Sequence, residues 1–222
     1  MEVRIMPKFE KPKMGELISR AFNDFGIEEK EDGKAHIKGM PIVFEQPTDI
    51  GGMFEETIAR GAVSPEILKD VAFFYNHDLN TKPLARTRTG KLKFDVRDDG
   101  VYMDADVNRD RHDVNDLYVA IEDGDIDGMS FMFRVEDEEW KDLDTDYPKR
   151  RINKVGYVQE VSAVNYPAYE GTSIYARTDL LVDTDKKALD NARAAVLDNT
   201  ESVEKSTRQL ELEKLKNNNR MK

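Results

Sequence analysis

Cysteine is absent from this 222-residue chain, which excludes disulfides, thiol nucleophiles and thiolate zinc sites and suits an intracellular, reducing setting. No run of about 18 apolar residues occurs, so no membrane span is expected. The opening Met1-Glu2-Val3-Arg4 has no apolar segment behind its charge, so no secretory leader is expected either. Phosphate-binding glycine loops are missing: Gly51-Gly52 has neither the spacing nor a following lysine. The acidic run Glu122 to Asp127 lacks the twelve-residue calcium pattern and its closing glutamate, and reads as a solvated loop. No metal and no cofactor are expected. There is no repeat at solenoid period.

What is present is mostly charge. Charged residues make up 36% of the chain and hydrophobic ones 39%, with a net charge of −11. That balance disfavours non-specific nucleic-acid binding, which needs Lys and Arg against phosphates. Residues 179–222 hold nine acidic and nine basic residues, while the preceding body holds 36 acidic against 25 basic and carries the whole imbalance.

The chain divides into three parts. Residues 1–16 form an irregular lead-in with Pro7 and Pro12, residues 17–178 a folded domain, and residues 179–222 a charged helical or disordered tail. Within the domain, a first strand is predicted around Ile18–Ile27. Glu31-Asp32-Gly33-Lys34 makes a turn, and His36–Phe44 a returning strand. Phe54–Ala62 is ambiguous. Ser64-Pro65 starts a short helix. Val71–Tyr75 is a strand buried on both faces. Lys82–Thr89, Lys91–Arg97 and Val101–Val107 read as strands, and Asp113–Glu122 as a helix capped by Asp113 and closed by Gly124. Asp137–Arg150 is a charged excursion carrying Trp140, followed by a long strand over Arg151–Asn165 that Tyr166–Gly171 terminates. Many short strands with few helices predict a mainly β fold with flanking helices (α+β), built on a closed or partly open β-barrel core.

Three residues stand out chemically. In Gly128-Met129-Ser130-Phe131-Met132-Phe133, alternation puts Met129, Phe131 and Phe133 on one face and Ser130 on the other. A small hydroxyl among bulky apolar neighbours needs a partner or a task. His77 follows five apolar residues and sits where a buried strand emerges, whereas His36 in a polar hairpin and His112 among Asp and Arg read as surface histidines. Glu160 interrupts an apolar run, Val158 to Val164, and a buried carboxylate must be paired. Ser130, His77 and Glu160 together supply a nucleophile, a base and an orienting carboxylate. On residues alone a serine hydrolase is one candidate among several. A satisfied structural serine, a strand-end histidine and an edge-strand glutamate remain open beside it. A generic esterase is disfavoured because Met132 stands where a Gly-x-Ser-x-Gly elbow needs glycine.

Four blocks carry a resemblance: Phe74-Tyr75-Asn76-His77-Asp78, Leu84 to Gly90, Gly124 to Phe133, and Glu160-Val161-Ser162-Ala163-Val164-Asn165-Tyr166-Pro167-Ala168-Tyr169. In this order and spacing they resemble the prohead (capsid maturation) serine proteases of tailed bacteriophages, over about Ile18–Arg177. Phe54–Ala62 also looks like the family's segment before the histidine. The resemblance implies a nucleophile at Ser130, a general base at His77 and a third member at Glu160. It also implies a barrel core similar to that of the herpesvirus maturation proteases, where the third member is a second histidine. The implied partners are scaffold and the N-terminal segment of the major capsid protein, cleaved inside the immature capsid in the host cytoplasm, with self-processing. Homo-oligomerisation is compatible with it; nucleic-acid and membrane partners are not implied. The family often has glycine where Met132 stands. The competing class is a non-catalytic capsid-assembly or scaffolding protein that keeps the same fold. The tail lies outside the resemblance, and is expected either to dock on scaffold and be self-removed or to be a solvated helix.

Overall fold

Turns rich in Gly and Asp cut the chain into strands, and the computed structural model describes residues 17–22, 25–29, 35–165 and 183–197. In chain order the strands are β1 (Leu17–Phe22), β2 (Phe25–Glu29), β3 (Ala35–Val43), β4 (Thr48–Asp49), β5 (Glu55–Ile58), β6 (Ala72–Tyr75), β7 (Ala85–Arg86), β8 (Leu92–Val96), β9 (Gly100–Val107), β10 (Gly128–Lys141) and β11 (Lys149–Val164). Helix α1 spans His112–Glu122 and a second helix, α2, residues 183–197. Short 3-10 turns occupy Pro65–Leu68 and Thr87–Thr89.

The larger sheet runs β1-β10-β11-β5-β4. Its central strand β11 also carries β6, which in turn pairs with β7. β5 and β6 share one edge of β11, each parallel to it, β5 along Lys149–Ile152 and β6 along Glu160–Ala163. The smaller sheet is β2-β3-β9-β8, antiparallel throughout. Ile37, Ile42, Val101, Met103 and Ala105 of the smaller sheet meet Met129, Phe131, Phe133, Val158 and Val161 of the larger one in a single core. Phe131 and Phe133, two apart on one face, stack with centroids 4.4 Å apart. α1 contributes Val114, Leu117, Tyr118 and Ile121, the apolar stripe its spacing predicts.

The mainly β class with helices stands, but the sheets do not close into a barrel among the described residues. Among the described residues no ladder joins the two sheets, and two-residue strands, β4 and β7, end the branches of the larger one. Closure requires a continuous ladder around the ring, and period-two alternation reports which face is buried without reporting which edges pair.

Several local expectations change. The predicted first strand is two strands, β1 and β2. Lys82–Thr89 yields only the two-residue β7 and a 3-10 turn, whereas the short helix predicted from Ser64-Pro65 forms as a 3-10 helix over Pro65–Leu68 with Ser64 at its N-cap. Asp137–Arg150 is no excursion: β10 runs on to Lys141 and β11 starts at Lys149, with charges paired across the hairpin, as in Lys154 Nζ to Glu136 Oε1 at 2.7 Å. Asp113 does not cap α1; Arg111 occupies that position, and Asp113 takes its guanidinium instead (Nη2 to Oδ2 2.5 Å). Gly124 does close the helix, with φ +79° and its N–H on Ile121 O at 3.1 Å. The lead-in 1–16, the turn 31–34, the terminating stretch 166–171 and the tail beyond 197 lie outside the described residues.

Candidate active site

The site is built on the last residues of β11. Its neighbour β6 sets Ala72 beside Glu160, Phe74 beside Ser162 and Tyr75 beside Ala163. β6 is apolar and buried as far as Phe74, so it must turn where it reaches solvent. The turn uses two non-glycine residues in the left-handed region, Asn76 (φ +49°) and His77 (φ +58°). Each such residue carries a backbone cost, and such residues concentrate at functional sites. The turn is tied down: Asn76 N donates to Ala163 O (2.8 Å), Asn165 N donates to Asn76 Oδ1 (3.1 Å), and Tyr75 OH donates to Asn165 Oδ1.

This turn aims His77 back over β11. His77 Nδ1 lies 2.7 Å from Glu160 Oε1. A carboxylate only accepts, so the proton of a neutral ring sits on Nδ1, leaving Nε2 as a base. Glu160 has no solvent exposure, while the His77 ring is about one-fifth exposed. The carboxylate's other oxygen, Oε2, accepts from Ser162 Oγ. Ser162 Oγ itself accepts the backbone N–H of His77 at 3.2 Å. Glu160 is therefore no edge-strand residue: β11 is flanked on both sides here, by β10 and β6.

Ser130 stands directly opposite Ser162 in the antiparallel ladder of β10 and β11, and Met132 opposite Glu160. Directly opposed residues share a face, with Cβ atoms about 5 Å apart, so Ser130, Ser162 and Glu160 share one. Ser130 is buried and its Oγ donates to Arg20 O at 2.8 Å. The structure thus joins His77 and Glu160 directly and places Ser130 one strand across. Met129 is in register with both Phe22 and Ala163, inside the sheet.

The other histidines do not join this site. His112 is the exposed first residue of α1. His36, expected at the surface, is buried, and its Nδ1 meets Asp104 Oδ1 at 2.5 Å. Its partner comes from β9, which local sequence does not reveal.

Two features escaped the sequence reading. The first is Ser162, although the Glu-x-Ser spacing on a strand already puts both side chains on one face. The second is a buried ion-pair cluster behind β1. Arg20 binds Glu56 (Nη2 to Oε2 2.6 Å) and Asp185 of α2 (Nη2 to Oδ1 3.0 Å), and Arg150 binds Glu56 (3.1 Å) and Glu138 (Nε to Oε2 2.8 Å). Burial works against the Arg20 charge, but Asp185 and then Glu56 outweigh it and raise its pKa. Arg20 thus locks β1 by its side chain while its carbonyl receives Ser130. An open cavity of about 310 Å³, lined by Tyr75, Ala120, Asp125, Ile126 and Asn165, lies where β6 and β11 end.

The family model of the caudovirus prohead serine proteases matches residues 23–187. Comparison with curated proteins finds no match. Among solved structures, the bacteriophage T4 capsid assembly protease, gp21, is similar at 16% identity, covering 67% of this chain and 96% of that one with a TM-score of 0.47.

Proposed function

Since the chain belongs to the caudovirus prohead serine protease family, matched over residues 23–187, we propose that Ser130 is its nucleophile, His77 its general base and Glu160 the carboxylate that orients His77. The observation that carries this reading is the 2.7 Å contact between His77 Nδ1 and the fully buried Glu160. It leaves Nε2 as the basic nitrogen, and the sheet register brings Ser130 to the same face as Glu160.

Ser130 Oγ attacks the carbonyl carbon of a scissile peptide bond while its proton, given to Arg20 O in the resting arrangement, passes to His77 Nε2. Glu160 stabilises the imidazolium that results. The tetrahedral intermediate collapses as His77 protonates the departing amine, leaving an acyl-enzyme on Ser130. Water, deprotonated by His77, hydrolyses the ester. Backbone N–H groups hold the oxyanion. The substrates are scaffold and the N-terminal segment of the major capsid protein, cut inside the immature capsid in the host cytoplasm. The chain also cuts itself.

Co-expression with the capsid and scaffold proteins of the same phage tests this. Ser130→Ala is expected to abolish trimming, a loss of about 10⁶ in rate, and Glu160→Gln to slow it by about 10⁴. Trimming to the same product sizes by Ser130→Ala removes the assignment. The burial of Ser130 and its bond to the Arg20 carbonyl favour a second reading, a non-catalytic assembly protein on the same fold. Covalent labelling of Ser130 by a fluorophosphonate, lost in His77→Ala, decides against that reading.

A further inference from the structure

We propose, on the assignment of His77 as base and Glu160 as its orienting carboxylate, that Ser162 is a positioning residue of the same site. Its hydroxyl does two things at once. As donor it occupies Glu160 Oε2, which leaves Oε1 for His77 Nδ1 at 2.7 Å. As acceptor it takes the backbone N–H of His77 at 3.2 Å. One oxygen atom therefore fixes both ends of the His77–Glu160 contact: the rotamer of the acid and the backbone of the base.

Both ends need fixing. Glu160 has no solvent exposure, so no bulk water satisfies its second oxygen, and an unsatisfied lone pair there would favour rotation away from the imidazole. His77 sits at φ +58°, a region costing an L-residue about 1–2 kcal/mol. Its own backbone N–H bond to Ser162 Oγ and the bonds of the adjacent Asn76 hold that conformation. Ser162 is itself fully buried and held in register on both sides, by Ser130 on β10 and Phe74 on β6. A small apolar residue would fit the same space, so packing alone does not call for a hydroxyl.

The test uses the full chain and the rate of covalent labelling of Ser130 by a fluorophosphonate probe. Ser162→Ala is expected to slow labelling about 10²-fold, the scale of a misplaced catalytic group. Ser162→Cys nearly preserves the volume but is a weak donor, and is expected to lose most of the rate as well. In a Glu160→Gln background, Ser162→Ala should add less than about threefold, because the two act through one contact. Labelling of Ser162→Cys at the wild-type rate, or effects of Ser162→Ala and Glu160→Gln that multiply in full, overturns the inference by showing a purely structural role. If Ser162→Ala does not fold, the cysteine variant decides alone. Undiminished labelling of His77→Ala would instead overturn the underlying assignment, so the two failures are distinguishable.

Discussion

Burying a carboxylate away from solvent costs several kcal/mol unless hydrogen bonds replace the water, and Glu160 accepts one from Ser162 and one from His77. That anomaly was legible in the sequence because a charge in an apolar strand has few innocent explanations. Ser162 was not, since serine in a strand is unremarkable until its neighbour two residues back is known to be buried. His36 failed for the complementary reason: its partner Asp104 is 68 residues away, and its own surroundings are polar. A surface residue offers the clearest pH dependence. Glu45 is held down to about 2 by hydrogen bonds from Arg151 and from the Arg60 backbone N–H. Its folded pKa is depressed, so its stabilisation is present above the unfolded value of about 4.3 and disappears as pH falls from there towards 2. The side chain is 41% exposed, and solvent screening limits the effect to about 1 kcal/mol or less. Glu45→Gln should lower the urea midpoint at pH 7, with the difference from wild type shrinking steadily below pH 4; a constant difference would show that charge is not the cause.

At the scale of elements, strand identity was readable wherever one face is apolar and the other polar. It was lost where both faces are charged. The hairpin of β10 and β11 shows this. Beyond Val135 its residues are mostly charged, yet the strands continue, with register shifts between Met132 and Glu138. Cross-strand pairs and the edge contact of Trp140 on Phe54 (4.9 Å) take the place of a core. Asp98-Asp99-Gly100 reads as turn chemistry and does turn β8 into β9, with Arg97 N donating to Gly100 O at 2.9 Å, but Gly100 also meets a demand for proximity that local sequence does not show. A Cβ there would lie 2.3 Å from Ile42 O, where β3 shifts register against β9. Gly100→Ala is expected to destabilise the protein by about 1–3 kcal/mol, as overpacking against backbone does. The measurement is a thermal melt against wild type, and an unchanged midpoint would mean that the β3–β9 approach is looser than described.

Across the whole molecule, one long-range contact ties β1 to α2. Composition changes character near Thr178, and α2 lies beyond that point. Even so, α2 is bound to the body. Leu189 packs with Ile50 and Phe54, Arg193 Nη2 donates to Thr145 O at 2.8 Å, and the fully buried Asp185 reaches Arg20, 165 residues earlier. Leu189 and Asp185 are not told apart by sequence from Leu197, Asp183 and Asp190 of the same helix, so docking is not signalled there. The energetics are nonetheless large, because Arg20 and Arg150 are opposed by Glu56, Glu138 and Asp185 with almost no solvent around the two arginines. Removing one partner from such a cluster leaves a buried charge short of its counter-charge, which typically costs about 3–5 kcal/mol. Asp185→Ala should therefore destabilise the fold by about 3 kcal/mol, comparable to or more than Leu189→Ala at about 2–3. The effect should extend to Ser130, since Arg20 is the residue whose carbonyl receives Ser130 Oγ. Hydrogen exchange on Asp185→Ala gives the discriminating readout. Faster exchange in β1 and at Ser130 is expected together with the lower melting temperature. Faster exchange confined to α2 would mean that the helix is held by Asp185 but that β1 is held without it.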